Sequence, residues 1–411
     1  MQEILRTWKG CLAGCALLAL AGCGGGAAPS SALGSVPAGS EAIASTQAAM
    51  HSQSKGPKVT PQTSGTSSGL IAVSAVSDRI VWASGRFGTF VRTTDGGKTW
   101  GAGVVPGAEG HQLRDVQGLS DKVAYLLAIP SDDGTLPSRI YKTTDGGKTW
   151  ALQTEGRDVN EFFDCFAFWD SRSAIVMVDS VGTRFPVRRT LDGHTWQDIG
   201  DLLPTPLPGE SGFAASGTCA ATQGHRRAWL TTGVPPANPN DPSSLWTTRV
   251  LYTTDRGQTW GATTAPITAS PAVAGGGFSI AFRDARHGIL GGGDLGASGV
   301  VPNFARSHDG GHTWTLGTSA PIPGAIYGLA YAGNGKGDDD DDWGRGRGHG
   351  DDHAGSIRVV ATAPTGSAWS ADEGHSWTSL TGLSGLWAVT FADERTGWLV
   401  GTNGQIVRID F

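Results

Sequence analysis

Along most of the chain, apolar and polar residues alternate in short runs broken by Gly, Asp, Asn and Ser. "LIAVSAVSDRIVWASG" (70–85) and "GTFVRTT" (88–94) open the pattern, followed by "LRDVQGLSDKVAYLLAIP" (113–130) and "SRIYKTT" (138–144). "DCFAFWDSRSAIVMVDS" (164–180) with "FPVRRT" (185–190) continues it, and so do "RRAWLTTG" (226–233) and "TRVLYTT" (248–254). "FSIAFRDARHGILGGG" (278–293) with "NFARS" (303–307), then "IYGLAYAG" (326–333), "SIRVVAT" (356–362) and "SAWS" (367–370), extend it further. "LWAVTFADERTGWLVGTNGQIVRIDF" (386–411) closes the chain with three such runs. Period-two alternation between turn formers is the pattern of β-strands, and no long amphipathic helix is visible. The chain reads as all-β.

A second periodicity is laid over the first. "TTDGGKTW" stands at 93–100 and again at 143–150. It returns as "TLDGHTW" (190–196), "TTDRGQTW" (253–260), "SHDGGHTW" (307–314) and "SADEGHSW" (370–377), six copies in all. A catalytic motif needs one copy; six copies at blade-like spacing mark a supersecondary unit. Each copy has the chemistry of a hairpin staple. The carboxylates of Asp95, Asp145, Asp192, Asp255, Asp309 and Asp372 can accept backbone N–H groups ahead of them. The following Gly tolerates positive φ. Trp100, Trp150, Trp196, Trp260, Trp314 and Trp377 are expected to fold back under the turn into an apolar socket, which explains why Trp (15) outnumbers Tyr (5). The third copy is one residue shorter, so its turn should differ, with Trp196 still buried. Acids also recur in the first hairpin turn of the units, at Asp78, Asp121, Asp170, Asp284 and Asp393, and recurrence there indicates a turn role.

Seven units of three or four strands follow, the last without a staple. No unit can bury both faces alone, and a radial arrangement solves this. The expectation is a seven-bladed β-propeller with Asp-containing hairpins, closed by "KVTPQTS" (58–64) as the outer strand of the last blade.

The flanks change the picture. "MQEILRTWKG" carries Arg6 and Lys9, "CLAGCALLALAG" is apolar, and "LAGC" ends at Cys23. This is a secretory pattern, too short for an ordinary transmembrane helix. It resembles the lipobox of bacterial lipoproteins, which implies lipidation at Cys23, removal of residues 1–22 and an exported chain facing the periplasm or cell exterior. Residues 23–60 form a Ser/Ala/Gly-rich tether with little to bury, and the propeller is set at 61–411. A run at 333–353, "GNGKGDDDDDWGRGRGHGDDH", is too polar to pack and reads as a solvated insertion rather than a metal site. Export permits a bridge between Cys165 and Cys219, with two buried thiols as the alternative. The net charge of −6 and the absence of a basic block argue against nucleic acid as a partner.

The six-fold motif Ser/Thr-x-Asp-x-Gly-x-Thr-Trp resembles the Asp-box, or BNR repeat, of sialidases, xyloglucan-acting hydrolases and sortilin-type receptors. The final blade, through Asp393, Gly397, Trp398, Gly401 and Gly404, is similar to the photosystem II stability/assembly factor family; the first matches it more loosely through Trp82, Gly85, Gly88 and 93–100. That resemblance implies a non-enzymatic protein binder or assembly factor, with no cofactor. The rival readings are a glycan binder or glycoside hydrolase of the sialidase-like class and a propeller oxidoreductase. Sialidases resemble one another in an arginine triad and a Tyr nucleophile, and no opening arginine motif is present here: Arg79 lacks the following Pro. Glu161 and Glu210 stand outside the repeat, with no Tyr to pair with. No CxxCH or phosphate-binding glycine fingerprint supports a redox cofactor, and no ligand set supports a metal. Candidate contacts for a protein or glycan partner are the non-repeating arginines: Arg114, Arg188, Arg189, Arg226, Arg227, Arg283 and Arg286.

Overall fold

A computed structural model describes residues 56–333 and 357–411. Cys23, the leader, most of the tether and most of the 333–353 insertion lie outside these residues. Strands form seven antiparallel four-stranded sheets, and no α-helix occurs among the described residues. Six sheets are sequential meanders. The seventh takes its first three strands from the C-terminus and its outer strand, Lys58–Thr63, from the start of the propeller. That strand begins three residues ahead of the boundary drawn at 61, because its pairing runs from Lys58 with Asp410 to Thr63 with Gln405. The fold is a seven-bladed β-propeller.

The inner strands are Leu70–Ala75, Leu113–Gly118, Phe163–Phe168, Ala220–Gln223, Gly275–Phe282, Gly328–Tyr331 and Leu386–Phe391, one for each of blades 1 to 7. Pairing to the second strand fixes a common register: Ser74 faces Trp82, Gln117 Tyr125, Ala167 Ile175, Ala221 Trp229, Ala281 Ile289, Ala330 Val360 and Thr390 Trp398. The inner member is small in most blades and turned to the axis. The outer member is large and packs between blades; Trp82, Trp229 and Trp398 are almost wholly buried. Each apolar face is thus covered by the next blade, which is how a ring of sheets solves burial and edge protection together.

Five of the six repeated turns share one geometry. In the first, Thr93 Oγ1 donates to Asp95 Oδ1 (2.8 Å) and accepts Gly97 N–H (3.0 Å). Asp95 also accepts the Thr99 N–H (3.0 Å) and hydroxyl (2.6 Å). The pattern repeats at Asp145, Asp255, Asp309 and Asp372. At Asp192 the missing residue tightens the turn: Gly193 N–H reaches Thr190 Oγ1, and His194 and Thr195 N–H both bond Asp192. Gly147, at φ 86°, shows why the second Gly is required: a Cβ there would sit 2.6 Å from the Phe90 ring of the preceding blade.

The Trp sockets differ from expectation. Of the six, only Trp314 is fully buried; Trp100, Trp150, Trp196, Trp260 and Trp377 are half-buried. Their sockets lie largely on the preceding blade rather than under their own turn. Trp150 packs edge-on to Phe90 (5.1 Å), Trp196 to Tyr125 (6.4 Å) and Trp377 to Phe304 (5.1 Å). The Trp is an inter-blade wedge, and its outer edge stays wet because the hairpin tip is at the surface.

A second inter-blade contact precedes each staple by one residue. Arg92 reaches the Asp121 carbonyl of the next blade, Lys142 the Gly193 carbonyl (3.4 Å) and Arg189 the Arg256 carbonyl (2.9 Å). At the same position Tyr252 packs on His312 (4.6 Å), Arg306 meets His375 (2.7 Å) and Trp369 packs on Phe411 (5.4 Å). Arg408 closes the circle on the Gly96 carbonyl (3.2 Å).

Candidate functional site

The small side chains turned to the axis leave a cavity of about 790 Å³. All seven inner strands contribute, and Ser171, Gly224 and His225 at its hairpin-turn end are exposed, so it opens there. Its wall includes Val73, Val116, Phe168, Trp169, Phe282 and Phe391 with Ser74, Gln117, Thr222 and Thr390 between them. Several of these polar groups are committed to stitching blades together: Ser74 Oγ accepts Gly118 N–H, and Thr222 donates to the Phe168 carbonyl. The buried carboxyl in the wall, Asp115, accepts the Val116 and Phe166 N–H groups, and burial pushes its pKa well up. No Arg, Lys, Glu or Tyr among the described residues lines the cavity, so the arginine clamp and Tyr nucleophile of the sialidase-like reading have no members in this wall.

At the other end the inner strands carry a repeated irregularity. The register skips Ile71, Arg114, Asp164, Phe278 and Trp387 in blades 1, 2, 3, 5 and 7. Thr218 and Tyr327 occupy the equivalent places in blades 4 and 6, three residues before Ala221 and Ala330. Bulges re-aim side chains and concentrate beside functional sites. Here they converge: the Arg114 guanidinium of blade 2 lies 5.6 Å over the Trp387 ring of blade 7, and Phe278 and Tyr327 stack at 5.8 Å. The segment leading into blade 4 closes this end. Phe213 stacks on Phe278 (4.2 Å), the Ala214 carbonyl accepts from Arg114 (3.0 Å), and Ser216 Oγ donates to the Tyr327 carbonyl (2.6 Å). One short segment therefore touches blades 2, 5 and 6. Directly after it, Cys219 is joined by a disulfide to Cys165 of the neighbouring inner strand, Cα to Cα 5.9 Å.

The arginines singled out by sequence do not form one surface. Arg114 is only 2% exposed and cannot meet a partner's surface as expected, because the bulge turns it to the axis. Arg188 is buried against Glu161, and Arg189 is spent on its carbonyl latch. Arg283 pairs with Asp284 (2.7 Å) and Glu373 (2.8 Å). Arg227 is half-buried at the start of a strand, with its carbonyl accepting Trp169 Nε1 (2.7 Å). Arg226 and Arg286 remain exposed, both in first hairpin turns. Glu210 is fully buried and held by Arg249 (2.7 Å) and Thr232 (2.7 Å), so it and Glu161 are structural anchors.

Arg226 and Arg286 belong to a set that the linear pattern did not reveal. Three residues before Trp82, Tyr125, Ile175, Trp229, Ile289 and Trp398 of the second strands, Arg79, Lys122, Arg172, Arg226, Arg286 and Arg395 occupy one register position in six blades, all exposed. The backbone carbonyl at this position serves the scaffold. Those of Arg79, Lys122, Arg226 and Arg286 accept the N–H after the staple Asp at 2.8–3.0 Å. The Ile357 carbonyl does the same in blade 6 (3.0 Å), so this scaffold contact does not require a cation. Aligning the first hairpin turns, rather than tracking only their acids, brings the set into view. Asp170, Asp284 and Asp393 in the same turns cap backbone N–H groups instead.

No family model and no curated protein sequence matches the chain. Solved structures do resemble it. One, YCF48 bound to D1 peptide, shares 15% identity at a TM-score of 0.53, over 87% of this chain and 96% of that one. YCF48 from Cyanidioschyzon merolae gives 16% and 0.50, over 86% and 98%. The WD40 β-propeller domain of Doa1 gives 12% and 0.50, over 85% and 95%. At these identities the likeness concerns the fold, and it is that of a seven-bladed propeller.

Proposed function

We propose that this chain is a non-enzymatic binding propeller, exported and held to a membrane through Cys23, whose hairpin-turn face docks an acidic segment of a protein partner. The observation that carries the reading is the recurrence of an exposed cation at one register position in six blades, where the repeated scaffold contacts are made by the backbone and Arg286 Nε alone adds a side-chain contact among the described residues, to the His308 carbonyl (3.4 Å). Long basic side chains spaced around the mouth of the axial cavity attract a polyanionic segment and steer its approach. Two further points support a peptide or protein as that segment. Propellers of this fold include YCF48, solved with a D1 peptide, and the final blade resembles the assembly-factor family.

The test is binding of the full-length protein to a fluorescent acidic peptide, an oligoglutamate, by anisotropy across a salt series. Binding should weaken as salt rises. Reversing Arg79, Lys122, Arg172 and Arg226 to Glu should reduce it at least tenfold without lowering the melting temperature. Equal binding by the reversed variant, or none by the wild type at low salt, would sink the reading.

A further inference from the structure

The axial end opposite the cationic turns holds a buried cation that pairs with no carboxylate among the described residues. Arg114 is 2% exposed and makes one hydrogen bond among those residues, Nη1 to the Ala214 carbonyl at 3.0 Å. Its Nε is buried with no acceptor. Trp387 covers the guanidinium at 5.6 Å, which offsets part of the lost hydration, yet a ring face does not replace a carboxylate. The adjacent Asp115 is no substitute, since its carboxyl turns away onto two backbone N–H groups.

The same protein treats its other buried arginine, Arg188, and the half-buried Arg249 differently. Arg188 has Glu161, and Arg249 has Glu210. The exception stands in the bulge ring, the one axial layer where every blade carries a different residue type while the neighbouring layers repeat. A scaffold has no use for such variety, and a ligand does. We propose that Arg114 anchors an oxyanion-binding site at this end of the axis, taking a carboxylate or phosphate group beside the aromatic wall of Phe213, Tyr327 and Trp387. The guanidinium fork matches the two oxygens of such a group, and the aromatic wall suits an apolar or ring-bearing body behind it. Burial depresses the Arg114 pKa to about 10, with Arg86 adding like-charge repulsion; the side chain is still cationic at neutral pH and competent to bind an anion. This site is distinct from the cationic turn face and does not rest on the reading given for it.

The full-length protein is titrated with inorganic phosphate, acetate, phenyl phosphate and phenylacetate, with 2-phenylethanol as the neutral control. Melting temperature and Trp fluorescence are followed. At least one oxyanion should raise the wild-type melting temperature saturably, and the neutral control should not. Preference for the phenyl compounds would assign the group to a larger ligand; equal response to the free ions would assign it to a simple anion. Arg114→Met should melt at or above the wild type without ligand and lose the response. Arg114→Lys, which keeps charge but not the fork, should bind at least tenfold more weakly. The proposal is overturned if none of the four oxyanions shifts the wild type, or if Arg114→Met responds as the wild type does. Should Arg114→Met fail to fold, an undiminished response in Arg114→Lys overturns it equally.

Discussion

A single carboxylate organises each repeated turn, and its protonation is the simplest lever on the fold. Asp145 receives the Thr149 hydroxyl and N–H and the Thr143 hydroxyl, which hold its pKa down to about 2 from an ordinary 3.8. Asp95, Asp192, Asp255, Asp309 and Asp372 are shifted in the same direction. The folded chain binds these protons more weakly than the unfolded chain. The stabilisation is therefore complete above the ordinary carboxylate pKa and is lost as pH falls through the depressed values. Melting temperature should stay level from neutral pH to about 5 and then drop steeply toward about pH 2. Asp145→Asn should flatten part of that drop. An acid limb unchanged in a variant lacking several of these carboxylates would assign the loss to other groups. The turn chemistry was legible in the sequence because it is local: donor, acceptor and Gly lie within a few residues of one another. The Trp sockets were not, because the surface each ring covers belongs to the preceding blade.

At the scale of the strand, closure of the ring depends on Lys58–Thr63. Gln62 is its working residue: Nε2 donates to the Gly96 carbonyl (3.3 Å), while Oε1 accepts both Trp100 Nε1 (3.1 Å) and Trp398 Nε1 (3.2 Å). One amide therefore ties the closing strand to blade 1 and to the second strand of its own blade. Gln62→Leu leaves two indole N–H groups without an acceptor and should cost about 1–3 kcal/mol by chemical denaturation. A neutral result would show that the latch of Arg408 on the Gly96 carbonyl suffices by itself. Removing the strand altogether exposes the edge of Gln405–Asp410 and should abolish a single cooperative transition. The alternation of "KVTPQTS" allowed a strand to be read there. Its partner could be inferred only from the three-strand count of the last unit.

The whole molecule is held by contacts between blades, and one of them is covalent. The Cys165–Cys219 bridge joins the inner strands of blades 3 and 4 beside the segment that closes the axis. Replacing both residues by Ala should lower stability by about 2–5 kcal/mol, read as the difference between oxidised wild type and variant in guanidinium. If reductant lowers the wild type to the level of the variant, the bridge is the cause; if it does not, lost packing is. The axis itself has two unlike ends, a cavity circled by cations and a bulge ring centred on Arg114. Neither end gathers the seven arginines named from sequence, of which only Arg226 and Arg286 join the cationic ring and Arg114 the other end, because residues far apart in the chain take their neighbours from blade order around the ring.

Amino-acid order alone is enough for the repeat and everything contained within one repeat: strand alternation, hairpin turns, the staple and the number of units. These follow from interactions between near neighbours, so a linear pattern records them. Tertiary structure decided which side of each strand meets the axis, where each Trp is seated and which arginine finds a counter-charge. Arg188 and Arg114 look alike in a linear reading. One lies against Glu161, and the other is turned by a bulge into a layer with no carboxylate paired to it. The difference arises because a one-residue slip in register exchanges the faces of a strand, and only assembly of the ring fixes that register.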